Sequence, residues 1–294
     1  KHEEALEYFN KILIIDKNYQ RVLGKILHCK QIICQWDDYN INIQELKERI
    51  LNNENCIAPW EALSIFDSEK IQLKAAQTWI KNNYTSYKFP NIQNKNKKIK
   101  IGYFSSDFYR TAVAEQIVEM IELHDKEKFE VIGFSLINKK DNLQQRLQNA
   151  FCKFINLEDR SNEDIVELCH TINLDIAIDL TGFTLNNRFE IFEKRCAPIQ
   201  ISYLGYSATT GSKNMDYVIA DKVVIPEESQ KFYPEKIIYM PDFFMVNDSK
   251  KKISNSEISK EKYNIPANSF LLGCLNQHYK ITPEIFDIWI KILL

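Results

Sequence analysis

The chain has 294 residues, 45% of them hydrophobic and 27% charged, with a net charge of −2. These proportions fit a globular chain of about two domains. They exclude the basic footprint of a nucleic-acid binder and the basic face of a membrane-surface helix. Glycine is scarce, seven residues where average usage gives roughly 20, which excludes collagen-like and glycine-linker classes. No apolar run approaches the ~18 residues of a membrane-spanning helix, and no signal-peptide pattern opens the chain. The seven cysteines form no C-x-x-C pair and sit mostly among apolar residues, as buried reduced thiols do, which points to a reducing, cytoplasmic compartment. A zinc site from His28, Cys29 and Cys34 is poorly supported, because an i, i+5 pair does not share a helix face.

Residues 1–90 read as amphipathic helices. "EEALEYFNKILIID" sets Ala5, Leu6, Phe9, Ile12 and Leu13 on one stripe, and "RVLGKILHCKQIICQW", "IQELKERIL" and "IQLKAAQTWIKN" repeat the pattern. Residues 85–99, polar with one proline and a Lys/Asn run, read as a linker. From Lys98 the pattern alternates. "KIKIGYF", "FEVIGFSLI", "KFINLE", "LDIAIDL", "IQISYLG", "DYVIAD", "KIIYM" and "SFLLGCL" read as strands. "AVAEQIVEMIELHD", "LQQRLQNAF", "SNEDIVELCHTI", "NNRFEIFEKR" and "TPEIFDIWIKILL" read as helices, and "SKEKYN" as a helical turn. His124 and His170 fall on apolar helix stripes, where packing explains them. Alternating strands and helices predict a parallel sheet covered on both faces, an α/β doubly wound lobe whose ligands bind beyond the carboxyl ends of the strands.

Four such ends carry short polar clusters: Ser105-Ser106-Asp107-Phe108, Thr181-Gly182-Phe183-Thr184, Gly205 through Gly211, and Asn276-Gln277-His278-Tyr279-Lys280. Hydroxyls, small residues and one lysine suit a ligand with hydroxyls and phosphate. Five of the seven glycines (102, 182, 205, 211 and 273) border this expected cleft. No G-x-G-x-x-G, P-loop or D-x-D motif is present, so phosphate binding would fall to lysine, helix N-termini and backbone N–H groups. Lys280 precedes a helix start marked by Thr282 as N-cap and Pro283 at the first position.

The stretches "KIGYFSSDF", "FEVIGFSL", "IDLTGFT…NRFEIFEKRCAPIQISYLGY…TTGSKNMDYVIAD" and "LNQHYKITPEIFDIW" resemble the catalytic region of the O-linked N-acetylglucosamine transferase family, which includes the plant Spindly proteins. "HEEALEYFNKILIIDKNY" is similar to a last tetratricopeptide repeat, and "ILHCKQIICQWDDY" to the segment joining repeats to catalytic lobe. The resemblance implies a GT-B glycosyltransferase with this organisation: the end of a repeat over 1–20, a helical connecting region over 21–95, an N-terminal Rossmann-like lobe over 96–255, and the start of an incomplete donor-binding lobe over 256–294. It implies an inverting, metal-independent transfer with no cofactor beyond the donor. That donor would be UDP-N-acetylglucosamine or, as in the Spindly branch, GDP-fucose, and the acceptor Ser or Thr of proteins bound through the helical repeats. Gln277 and Lys280 would hold the donor, with Gly205, Tyr206, Thr209 and Thr210 along the cleft. Thr111 stands where the family usually carries His, and Ser207-Ala208 replaces its Pro-Gly. The catalytic residue is therefore unassigned, and a repeat-containing adaptor that has lost activity is the alternative. Residues 1–294 are expected to be part of a longer protein and alone to bind a nucleotide sugar only weakly.

Overall fold

The computed structural model describes residues 1–85, 96–256 and 259–294. Of the linker expected over 85–99, residues 86–95 lie outside the described residues. The helical part comprises α1 (His2–Ile15), α2 (Val22–Ile32), α3 (Tyr39–Leu51), α4 (Pro59–Ile65) and α5 (Glu69–Asn83). α1 lays Leu6 and Phe9 against Val22 and Ile26 of α2, while Leu27, Leu46, Ile57, Ala62 and Ile71 form a second small core among α2 to α5. The short α4 was not expected from the apolar pattern. Its own start signals are nevertheless present: Pro59 at the first position, and Glu61 reaching back to accept the Ala58 N–H at 3.0 Å.

The α/β part begins with β1 (Ile99–Ser105), α6 (Ala112–Glu122), β2 (Phe129–Ser135), α7 (Asn142–Ala150), β3 (Lys153–Asn156), α8 (Asn162–Thr171) and β4 (Ile176–Asp179). It continues with α9 (Glu190–Glu193), β5 (Ile199–Ser202), β6 (Tyr217–Ala220) and β7 (Lys236–Tyr239), and the chain ends with α10 (Pro283–Leu293). The seven strands form one parallel sheet in the order β3-β2-β1-β4-β5-β6-β7. The order reverses between β1 and β4, and that crevice is where ligands of such sheets bind. Side chains alternate across the sheet. Ile101, Tyr103, Ile178 and Ile201 pack under α6 and α7. Phe104, Phe134 and Ala177 pack on the opposite face with α8 and with Ala76 of α5, so the last helix of the helical part shares a core with the sheet.

Two sequence expectations are corrected. "SFLLGCL" forms no strand: Phe270, Leu271 and Leu275 are exposed, and Gly273 has nothing within 4 Å of where a Cβ would sit. A strand needs a neighbour to satisfy its backbone groups, and no strand among the described residues lies beside this one. In "NNRFEIFEKR", helix is confined to Glu190–Glu193, because Asn186 and Arg195 adopt positive φ and close the segment at both ends.

Candidate functional site

The first three polar clusters follow β1, β4 and β5, which are adjacent in the sheet. Side chains tie their ends together. The Ser106 N–H donates to Thr181 Oγ1 (3.1 Å), and the Asp107 N–H donates to Ser105 Oγ (2.9 Å). Asp179, fully buried at the end of β4, accepts the N–H groups of Thr181 (2.9 Å) and Gly182 (3.1 Å). Burial pushes its carboxyl up to about 6, against the pull of those two donors. Glycine is required at two points. Gly182 has φ of +55°, and a Cβ there would lie 2.2 Å from Tyr206 Cβ. At Gly205 a Cβ would lie 1.8 Å from the Leu180 carbonyl oxygen, so the chain leaving β5 can pass the end of β4 only without a side chain.

The loop after Gly205 is fastened from beneath. Thr209 Oγ1 donates to Glu235 Oε2 (2.9 Å), and the Thr210 N–H (2.7 Å) and Thr210 hydroxyl both donate to Glu235 Oε1. Ser212 donates to Glu193, whose other oxygen accepts from Asn214 at 3.0 Å. Burial raises both the Glu235 and Glu193 carboxyls above the usual range. Tyr206 is buried against Phe183, ring centroids 5.3 Å apart, and burial raises its phenol strongly. The side chains of Tyr206, Thr209 and Thr210 thus face the interior. A ligand above this loop would meet Gly205, Ser207 and main-chain atoms instead.

The fourth cluster reaches the same place from the far end of the chain. A 3-10 turn at His278–Lys280 packs on α2 and α4. There Tyr279 and Lys280 line a cavity of about 350 Å³ with Trp60, Leu63 and Ser64 of α4 and with Gly205 and Ser207. Among the described residues the Lys280 ammonium has no hydrogen-bond or ion-pair partner. Gln277 caps the turn and is exposed. The cavity therefore joins a free cation, a helix wall and the backbone at a strand end. Residue patterns reveal the strand end and the cation, but not the helix wall, which comes from more than 140 positions earlier in the chain than Gly205.

At the end of β1, Thr111 is the N-cap of α6: its oxygen accepts the Ala114 N–H (3.3 Å), and its hydroxyl donates to Asp107 O (2.9 Å). The carboxylate of Asp107 makes no hydrogen bond or ion pair among the described residues, and burial alone raises its pKa. The sequence places Asp107 in the cluster but gives it no role. His124 accepts from Tyr103 or donates to it (3.0 Å) and pairs with Met120 O (2.7 Å). His170 Nε2 lies 3.0 Å from Arg195 O. Both histidines are therefore packed and bonded within the fold. His28, Cys29 and Cys34 diverge, with Cys29 in the core of α1 and α2 and Cys34 exposed. Among the described residues no three His, Cys, Asp or Glu converge to hold a metal ion. A second depression, about 500 Å³, lies at the starts of α6 and α7. Three of its charges pair with one another, Lys251 and Arg110 with Glu115, and Asp248 pairs with Arg146.

A parallel sheet with its crevice at the order reversal, covered by helices, makes this an α/β lobe of the doubly wound kind, built to bind a ligand at its strand ends. The sequence profile of glycosyl transferase family 41 matches residues 69–258, and the chain belongs to that family. It is 28% identical over 292 residues to the "Probable UDP-N-acetylglucosamine--peptide N-acetylglucosaminyltransferase SEC" of Arabidopsis thaliana, covering 91% of this chain and 30% of that protein. It is 28% identical to the Caenorhabditis elegans UDP-N-acetylglucosamine--peptide N-acetylglucosaminyltransferase, covering 82% and 23%. A solved Thermobaculum terrenum O-GlcNAc transferase mutant (K341M) superposes with a TM-score of 0.74 at 20% identity, over 99% of this chain and 56% of that one, which shows the shared fold. The chain thus spans under a third of the length of these two curated relatives. Among the described residues no helix is long and apolar enough to cross a membrane.

Proposed function

We propose that this chain forms the acceptor-side lobe and the edge of the donor site of a protein O-glycosyltransferase, which moves N-acetylglucosamine from UDP-N-acetylglucosamine to Ser or Thr hydroxyls. The observation that carries this reading is the cavity that Lys280 lines together with Gly205 and Ser207 beyond the carboxyl end of β5. In the proposed step the acceptor oxygen bonds to the anomeric carbon from the face opposite the diphosphate, giving inversion. The carbon–oxygen bond to the diphosphate breaks and its electron pair leaves with the phosphate. Lys280 stabilises that growing negative charge, and Gln277 holds the nucleotide beside it. The hydroxyl proton goes to a carboxylate. Asp107, unpaired and raised by burial, is better matched to that task than an exposed aspartate, and it stands one helix start from Thr111, which has no titratable group to offer. No metal and no cofactor takes part. Helices α1 to α5 guide a protein acceptor, and the seven free cysteines suit a reducing, cytoplasmic setting.

Thr111 in a capping role favours a second reading, an adaptor that binds proteins without transferring sugar. Labelled UDP-N-acetylglucosamine and GDP-fucose, each supplied to the natural protein containing residues 1–294 together with protein acceptors, separate the possibilities. Transfer from the first supports the proposal. Transfer from the second alone moves the chain to a fucosyl donor, and transfer from neither favours the adaptor.

A further inference from the structure

Lys280 is placed only indirectly. Its own backbone is held by local bonds, Lys280 N–H to Gln277 O (3.0 Å) and Ile281 N–H to His278 O (2.9 Å), and its ammonium meets nothing among the described residues. The position of the turn relative to the rest of the molecule therefore rests on side-chain packing: Phe286 of the following helix lies on Trp36, ring centroids 5.5 Å apart, and directly at the turn the contact is what lies beneath Tyr279. That is the ring of His28 on α2, with centroids 5.3 Å apart and planes tilted by 45°. The His28 Nδ1 is buried and has no hydrogen-bond partner among the described residues. With no hydrogen bond through that nitrogen, the ring acts there as a flat packing surface. Glu61 of α4, which pairs with Lys25 at 3.2 Å and caps its own helix, brings a negative charge near His28. The turn packs on both α2 and α4, so the two helices fix its height over the Gly205–Ser207 loop.

We propose that His28 is a positioning residue of the donor site: its ring is the platform for Tyr279, and through Tyr279 it sets where the Lys280 ammonium stands over the strand-end loop. The connecting helices then belong to the donor site itself as well as joining one region to the next. This assignment rests on the reading of Lys280 as the diphosphate-binding cation, and the experiment keeps the two apart.

Amide hydrogen exchange and an NMR-followed uridine diphosphate titration are measured on the chain and on His28→Ala, His28→Phe, Lys280→Met and the His28→Ala/Lys280→Met double variant. The His28→Phe variant keeps a ring and guards against a mere folding defect, and far-ultraviolet circular dichroism checks each fold. Loss of one aromatic contact corresponds to about a tenfold change in local opening. Amides of 278–281 are therefore expected to exchange about tenfold faster in His28→Ala and at close to the original rate in His28→Phe. Uridine diphosphate affinity is expected to fall in His28→Ala about as far as in Lys280→Met, with no further loss in the double variant, because both act on one cation. Unchanged exchange at 278–281 in His28→Ala overturns the platform. An equal affinity loss from His28→Ala with and without Lys280 overturns the route through the lysine. If exchange responds as expected but uridine diphosphate shifts no resonance of the unsubstituted chain, the donor reading fails, and with it the assignment of His28 to a donor site, while the platform stands.

Discussion

Gly205→Ala places the heaviest demand on the architecture. The added Cβ would sit 1.8 Å from the Leu180 carbonyl oxygen and 2.7 Å from its carbon, and these are backbone atoms that no rotamer change can remove. The ends of β4 and β5 would have to part by about 1.2 Å, from 1.8 to 3.0 Å, merely to reach the closest approach real structures tolerate. That movement strains Leu180 N–H to Phe104 O and Tyr203 N–H to Asp179 O, both 2.9 Å. Overpacking of this kind costs about 1–3 kcal/mol, and each weakened buried hydrogen bond adds about 1 kcal/mol. The expected loss is therefore about 3 kcal/mol, read from urea unfolding followed by circular dichroism. Gly24→Ala is the milder comparison: its Cβ would lie 2.7 Å from Ile57 Cγ1 and 3.1 Å from the Cys56 carbonyl oxygen, a smaller overlap than at Gly205, and alanine gains about 1 kcal/mol of helix propensity. A loss under about 1 kcal/mol at Gly205, or an equal loss at both glycines, would refute the reasoning.

Three further outcomes follow from the same geometry. Asp179, raised from 3.8 to about 6 by burial, is protonated in the folded chain but ionised in the unfolded chain between those values. Its stabilising influence is thus complete below about pH 4 and lost as pH rises to about 6. Asp179→Asn should match the parent near pH 4 and exceed it by up to about 3 kcal/mol at pH 7, a difference that paired urea titrations would expose or deny. Thr111→His should lose about 1 kcal/mol as the α6 cap is weakened, whereas Thr111→Ser should keep it; equal melting of the two variants would contradict the capping role. Arg146 binds both Glu122 (2.7 Å) and Asp248 (2.6 Å) and holds the Glu122 carboxyl down at about 2. Its support is present above the usual carboxylate range and disappears as pH falls toward 2. Arg146→Met should therefore unfold at higher pH on acid titration than the parent, and coincident acid transitions would count against the pair.

Alternation of apolar strands with amphipathic helices was enough to read the parallel sheet, since β1, β2 and β4 are buried on both faces and signal themselves locally. "SFLLGCL" carries the same local signal and forms no strand, because pairing depends on a neighbour that a periodicity cannot supply. The three strand-end clusters were legible for the same reason as the strands. The orientation of their side chains was not: Thr209 and Thr210 look like ligand hydroxyls until Glu235, 25 residues on, is found beneath them. Trp60 and Ser64 are not legible as site residues, and His28 is legible only as a poor zinc ligand, because only tertiary packing brings α2 and α4 to the turn at 278–280.

The central claim is that Lys280 and the Gly205–Ser207 loop together bind the diphosphate of a nucleotide-sugar donor. Titrating uridine diphosphate into the isotope-labelled chain tests it most directly, with affinity expected on the order of millimolar for a site edge of this size. The account predicts shifts concentrated at the amides of Gly205–Ser207 and Gln277–Lys280, and affinity about tenfold weaker in Lys280→Met. Shifts confined to other surfaces, or undiminished in Lys280→Met, would contradict it.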